Sequence, residues 1–138
     1  MANSKTAAPW HVWAVGVASL LWNLFPAVDY VLTRLKVASW LAQSPPEVIA
    51  TVEAFPLWVS LAWGLGVWGS FFGAILILMR RSLAFLSFVI SITGMAILNV
   101  YMASVGIPTP RPLLVSIVIG LLLEIYYCWR QSRSGVLR

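Results

Sequence analysis

Four carboxylates occur in this chain of 138 residues, and two of them, Asp29 and Glu124, stand inside long stretches without another charge. An acid so placed pairs with a cation, carries a proton or reaches water. Glu124 precedes Arg130 by six residues, and no Lys or Arg lies at its depth, so its type and position suit proton exchange. His11, the only histidine, is placed near the same boundary as a candidate proton partner or an unrelated boundary residue. Asn23, Asp29, Asn99 and Tyr101 are the side chains suited to a polar vestibule. Each has a plainer reading: Asp29 pairs with Arg34 or meets water, and each asparagine bonds a neighbouring helix for about 0.6–2 kcal/mol. Trp63, with Trp22 and Trp68, lies well inside its stretch and either fills a core or lines a cavity.

Other chemistries lack their residues. One cysteine, Cys128, gives neither an internal disulfide nor a CxxC redox pair. One histidine cannot ligate haem twice, and no His, Cys and carboxylate cluster has metal spacing. The serines stand in no GxSxG, and no Walker or Rossmann glycine pattern is present. Catalysis and bound cofactors are therefore not expected.

The elements that position these residues follow from composition. With 61% hydrophobic and 9% charged residues and a mean hydropathy of +0.91, the chain belongs in lipid. No Asp, Glu, Lys or Arg occurs between Lys5 and Asp29, Glu53 and Arg80, or Arg81 and Arg111, and only Glu124 between Arg111 and Arg130. A helix needs about 20 apolar residues to cross a bilayer, so each interval holds one span, near residues 10–32, 56–79, 83–104 and 113–129. The first apolar run is longer than the ~7–15 residues of a signal-peptide core and is retained. The expectation is a single all-α integral membrane domain over residues 1–138, a compact bundle of four transmembrane helices.

Cytoplasmic loops carry the excess of Lys and Arg. An even number of spans places both termini on one side, with Lys5, Arg80, Arg81, Arg130, Arg133 and Arg138 against Arg34, Lys36 and Arg111 on the other. Both termini are expected in the cytoplasm, in a bacterial inner membrane. The net charge of +5 then reflects topology and anionic lipid. No basic run with interleaved aromatics supports nucleic-acid binding. Trp10, Trp13, Tyr126, Tyr127 and Trp129 mark the inner boundary, and Tyr30, Trp40 and Trp58 the outer one.

The loop from Arg34 to Phe55 contains Ser44-Pro45-Pro46-Glu47, which reads as a capping box starting a short amphipathic helix, with Val48, Val52 and Phe55 as its apolar stripe. Such a helix connects the first two spans or covers the mouth of the bundle. Gly106 to Pro112, with three prolines, reads as a rigid outer turn.

Small residues mark the faces along which helices meet in lipid. They are Gly16, Ser19, Asn23, Pro26 and Tyr30 in the first span and Ala62, Gly66, Gly69 and Gly73 in the second. Ala84, Ser87, Ser91 and Gly94 form the third ridge, and Ser116, Gly120 and Glu124 the fourth. Glu124 should face protein. The Gly69-to-Gly73 GxxxG could equally join two copies. Counting about 1.5 Å per residue puts Glu124 roughly 9 Å from the inner edge. Asn23, Asp29, Asn99 and Tyr101 then form a separate outer cluster.

Trp10-His11-Val12-Trp13, Leu21-Trp22-Asn23 followed by Asp29-Tyr30, Phe55-Pro56, Val67-Trp68-Gly69 and the Arg80-Arg81 turn resemble a family of small bacterial integral membrane proteins. The likeness covers the first 80 residues or so by motif and the remainder by hydropathy. Members often carry the label "sugar transporter", which implies transport without implying a mechanism. Pro26 stands where the family favours Gly before its Asp-Tyr pair. The size is similar to that of small multidrug exporters, but those place their essential Glu in the first span, and here it is in the fourth.

Two functions fit. One is a homo-oligomeric transporter of a small solute or ion in which Glu124 handles a proton. The other is a non-catalytic accessory or scaffolding subunit of a larger membrane complex, its polar residues binding partner helices.

Overall fold

A computed structural model describes residues 8–138. Six helices follow one another: α1 (Trp10–Arg34), α2 (Ala38–Leu41), α3 (Pro46–Glu53), α4 (Leu57–Leu78), α5 (Leu83–Ser104) and α6 (Arg111–Arg133). Of these, α1, α4, α5 and α6 are long and apolar enough to cross a membrane, so the protein is an all-α, multi-pass membrane bundle. Lys5 lies outside the described residues.

Proline starts three of the four spans, α5 following Ser82 instead, and left-handed residues end all four. Pro9, Pro56 and Pro110 are the N-caps of α1, α4 and α6, each extended and lacking the N–H that a helix start leaves unpaired. After α1, Lys36 adopts a φ of 53°, its N–H bonds Thr33 O, and Val37 N–H bonds Leu32 O. The same paired closure follows α4 at Arg80, α5 at Gly106 and α6 at Gly135, as in a Schellman cap.

The outer loop departs from expectation at its start. Pro45, not Ser44, is the N-cap of α3, and no side chain caps it. Pro46 holds the residue before it extended (ψ 139° at Pro45), which moves the helix boundary one residue on and leaves no capping box. The extra turn α2 was not anticipated. Of the expected stripe, Val52 and Phe55 pack onto the cluster around Trp63, so α3 lies over the end of the bundle that carries the α1–α4 connection. Lys36 and Glu53 pair at 2.8 Å across the exposed loop.

The helices form a ring in the order α1, α4, α5, α6. The closest pair is α4 with α5, followed by α1 with α4 and then α5 with α6. The small-residue seams explain that order. A Cβ on Gly69 would stand 3.0 Å from Ser87 O and 3.1 Å from Ser91 N, and one on Gly94 would stand 2.7 Å from Gly66 N. Ser87 and Ser91 donate to Gly69 O and Gly66 O, joining the backbones directly. The GxxxG of α4 is thus occupied by α5 of the same chain. At the end that carries the α4–α5 turn, Val12, Ile77, Ala84, Phe88 and Cys128 share a core with Leu137. Arg138 N–H bonds Arg80 O at 2.8 Å, and Ser82 N–H bonds Arg138 O at 2.9 Å.

Candidate functional site

Ser19 and Asn23 stand one turn apart on the buried stripe of α1, and Glu124 lies on the buried face of α6. Only 8% of Glu124 is exposed. Its Oε1 accepts hydrogen bonds from Ser19 Oγ and, at 2.8 Å, from Asn23 Nδ2. Asn23 Nδ2 also donates to Ser19 O at 2.9 Å. Glu124 Oε2 is buried and has no hydrogen-bond partner among the described residues. One turn further in, His11 Nδ1 and the Tyr127 hydroxyl share a hydrogen bond of 2.8 Å, the ring's tautomer deciding which donates.

Asn23 and Glu124 were expected in separate groups and are brought together. The expected inner edge at Arg130 is passed by α6, which continues to Arg133. Nine residues, about 14 Å at 1.5 Å per residue, separate Glu124 from that end, and its hydrogen bond with Asn23 sets the two side chains at one level. His11 bonds Tyr127, three residues beyond Glu124 on α6.

The expected outer cluster is divided among separate partners. Asp29 Oδ1 accepts from Trp40 Nε1 at 2.8 Å, a contact supplied by the unanticipated α2. Arg34 does not lie against Asp29; its guanidinium carbon is 5.2 Å from the centre of the Trp63 ring and 5.5 Å from that of Tyr30. Those two rings meet edge to face, with centroids 4.5 Å apart and planes 61° to one another. Asn99 Nδ2 donates to Met95 O, and Asn99 Oδ1 accepts from Thr109 Oγ1 at 2.6 Å, tying the α5–α6 turn to the end of α5. Tyr101 packs edge-on against Phe55 and Trp58.

A cavity of about 340 Å³ lies between α1, α4, α5 and α6, in the half of the bundle nearer the α1–α4 connection. Trp22, Asn23, Phe25, Pro26 and Asp29 line it from α1, and Trp63, Gly66, Val67 and Ser70 from α4. Ser91 and Met95 of α5 and Leu113, Ile117 and Leu121 of α6 complete it. Ser70 and Ser91 turn their hydroxyls to backbone carbonyls, which leaves Asn23 and Asp29 as its main polar features. The backbones of α1 and α6 hardly approach one another. Side chains span the gap: the Ser19, Asn23 and Glu124 group, His11 with Tyr127, and the Trp22 indole against Gly120.

The cavity joins an apolar chamber to a buried acid through one shared residue, Asn23. Among the described residues, no three His, Cys, Asp or Glu side chains gather as a metal ion would need. No family model, curated protein or solved structure matches this chain.

Proposed function

We propose that this chain is a small multi-pass protein of a bacterial inner membrane that works as a homo-oligomer to move a small solute or ion, with Glu124 exchanging a proton as it does so. The observation that carries this reading is the double position of Asn23, which lines the cavity and donates to Glu124. Occupation of the cavity that turns the Asn23 amide removes a donor from Glu124 Oε1 and changes how well the acid retains its proton. Binding and proton exchange are thereby linked through one side chain. The "sugar transporter" label of the family it resembles fits transport but supplies no residue role.

Arg80, Arg81, Arg130, Arg133 and Arg138 gather at the end opposite Arg34, Lys36 and Arg111, which supports cytoplasmic termini. The decisive experiment is proton-coupled flux in proteoliposomes. Glu124→Gln keeps the shape and the acceptor oxygen but exchanges no proton, so flux should fall to background while the protein remains folded. Undiminished flux would sink the reading.

A second reading, an accessory subunit of a larger complex, is favoured by α6, whose Leu113, Val115, Ile119, Leu122 and Leu123 face outward. Extraction in mild detergent separates the two: a fixed foreign partner supports the accessory role, and a particle of this chain alone supports the transporter.

A further inference from the structure

The cavity constrains its ligand through shape, charge and the direction from which it is reached. Its walls are apolar and aromatic, with Trp22, Phe25 and Trp63 as the large rings. Asp29 is the one formally charged residue that lines it. The Asp29 carboxyl is held by the Trp40 indole through Oδ1, so its charge is oriented by a hydrogen bond and is not cancelled by a cation there. Arg34, the nearest basic residue in sequence, turns instead to the rings of Tyr30 and Trp63. That contact covers one face of the Trp63 ring with the guanidinium.

The direction of access follows from exposure. Trp22, Phe25 and Leu113 line the cavity and are nevertheless 53%, 68% and 53% exposed, so the wall between α1 and α6 is also an outer surface of the bundle. Both helices are long and apolar enough to cross a membrane, and this exposed apolar wall suits contact with hydrocarbon. A ligand reaching the chamber there carries an apolar body, and the single acid within calls for a positive head.

We propose that this cavity binds a singly charged organic cation with an apolar or aromatic body, its charge set against Asp29 and its body against Trp22, Trp63 and Ile117. The volume, about 340 Å³, lies at the small end of the roughly 300–1,000 Å³ of ligand pockets. The assignment rests on the transport reading for its role, but binding is measured without flux.

The probes are benzyltrimethylammonium and its neutral isostere neopentylbenzene, titrated against the full chain in nanodiscs of zwitterionic lipid, with equilibrium binding as the readout. The cation should bind saturably and about tenfold more tightly than the isostere. Asp29→Asn keeps an acceptor for Trp40 and should remove that preference while leaving the isostere unaffected. Ile117→Trp fills the chamber and should abolish binding of both probes; protection of the buried Cys128 thiol from maleimide verifies that this variant is folded. Equal affinity of the two probes, or an unchanged preference in Asp29→Asn, would overturn the assignment. Saturable, Asp29-dependent binding without proton-coupled flux would uphold it and remove the transport reading instead.

Discussion

Glu124 offers its two oxygens to different surroundings, Oε1 to Ser19 and Asn23 and Oε2 to a buried pocket without a partner among the described residues. An interhelical hydrogen bond in a membrane protein contributes about 0.6–2 kcal/mol, and Asn23 is the amide that provides one here. Asn23→Ala should lower stability in mild detergent by about 1 kcal/mol, and the same change made with Glu124→Ala should cost far less, because the partner is already gone. Equal costs in both backgrounds would show that the bond does not join the helices. The inward aspect of Glu124 was legible in the sequence, since Ser116, Gly120 and Glu124 repeat at one helical turn. Its partner was not, because periodicity gives the face a residue occupies and not which opposing ridge it meets. Asn99 was misplaced for a local reason: Thr109, ten residues on, returns across the turn to take it.

Among the elements, α4 and α5 form the tightest pair; the two small-residue faces, Ala62, Gly66, Gly69 and Gly73 and Ala84, Ser87, Ser91 and Gly94, were readable from their spacing, but that they meet each other was not. Substitution tests which glycines hold it. A Cβ on Gly94 meets backbone, Gly66 N at 2.7 Å and Gly66 Cα at 3.2 Å, whereas one on Gly16 meets the Leu78 side-chain tip at 2.5 Å. Backbone cannot swing aside and a leucine can. Gly94→Ala should therefore cost about 1–3 kcal/mol as the helices are forced apart, and Gly16→Ala distinctly less, in parallel unfolding titrations; the reverse order would contradict this packing. The span limits were legible because charge and hydropathy mark them, although α6 runs past its expected end at 129 to Arg133. Short elements were harder: α2 spans four residues, too few for a periodic signal, and its Trp40 is what claims Asp29.

For the whole molecule, the ring of helices closes firmly at three joints and by side chains alone at the fourth, between α1 and α6. Cys128, the only thiol, is fully buried in one core with Val12 of α1, so its reaction with maleimide reports separation of those helices. Tyr127→Phe removes the hydroxyl that bonds His11 and should speed that reaction about twofold to tenfold, the effect of losing one hydrogen bond of ordinary strength. An unchanged rate would place the latch elsewhere. The bundle and its seams were visible in the sequence, but the cavity was not, since it arises from how far two non-consecutive helices stand apart. The acid and its donors are also far apart along the chain, with Glu124 following Asn23 by 101 residues. At about 5–20 residues per second, Asn23 is made roughly 5–20 s before the acid that it will bind. During that interval the Ser19 carbonyl, 2.9 Å away on the same helix, gives one N–H of the amide a partner within α1, so the first span enters lipid with that donor paired and the second N–H left for Glu124 when the last span arrives.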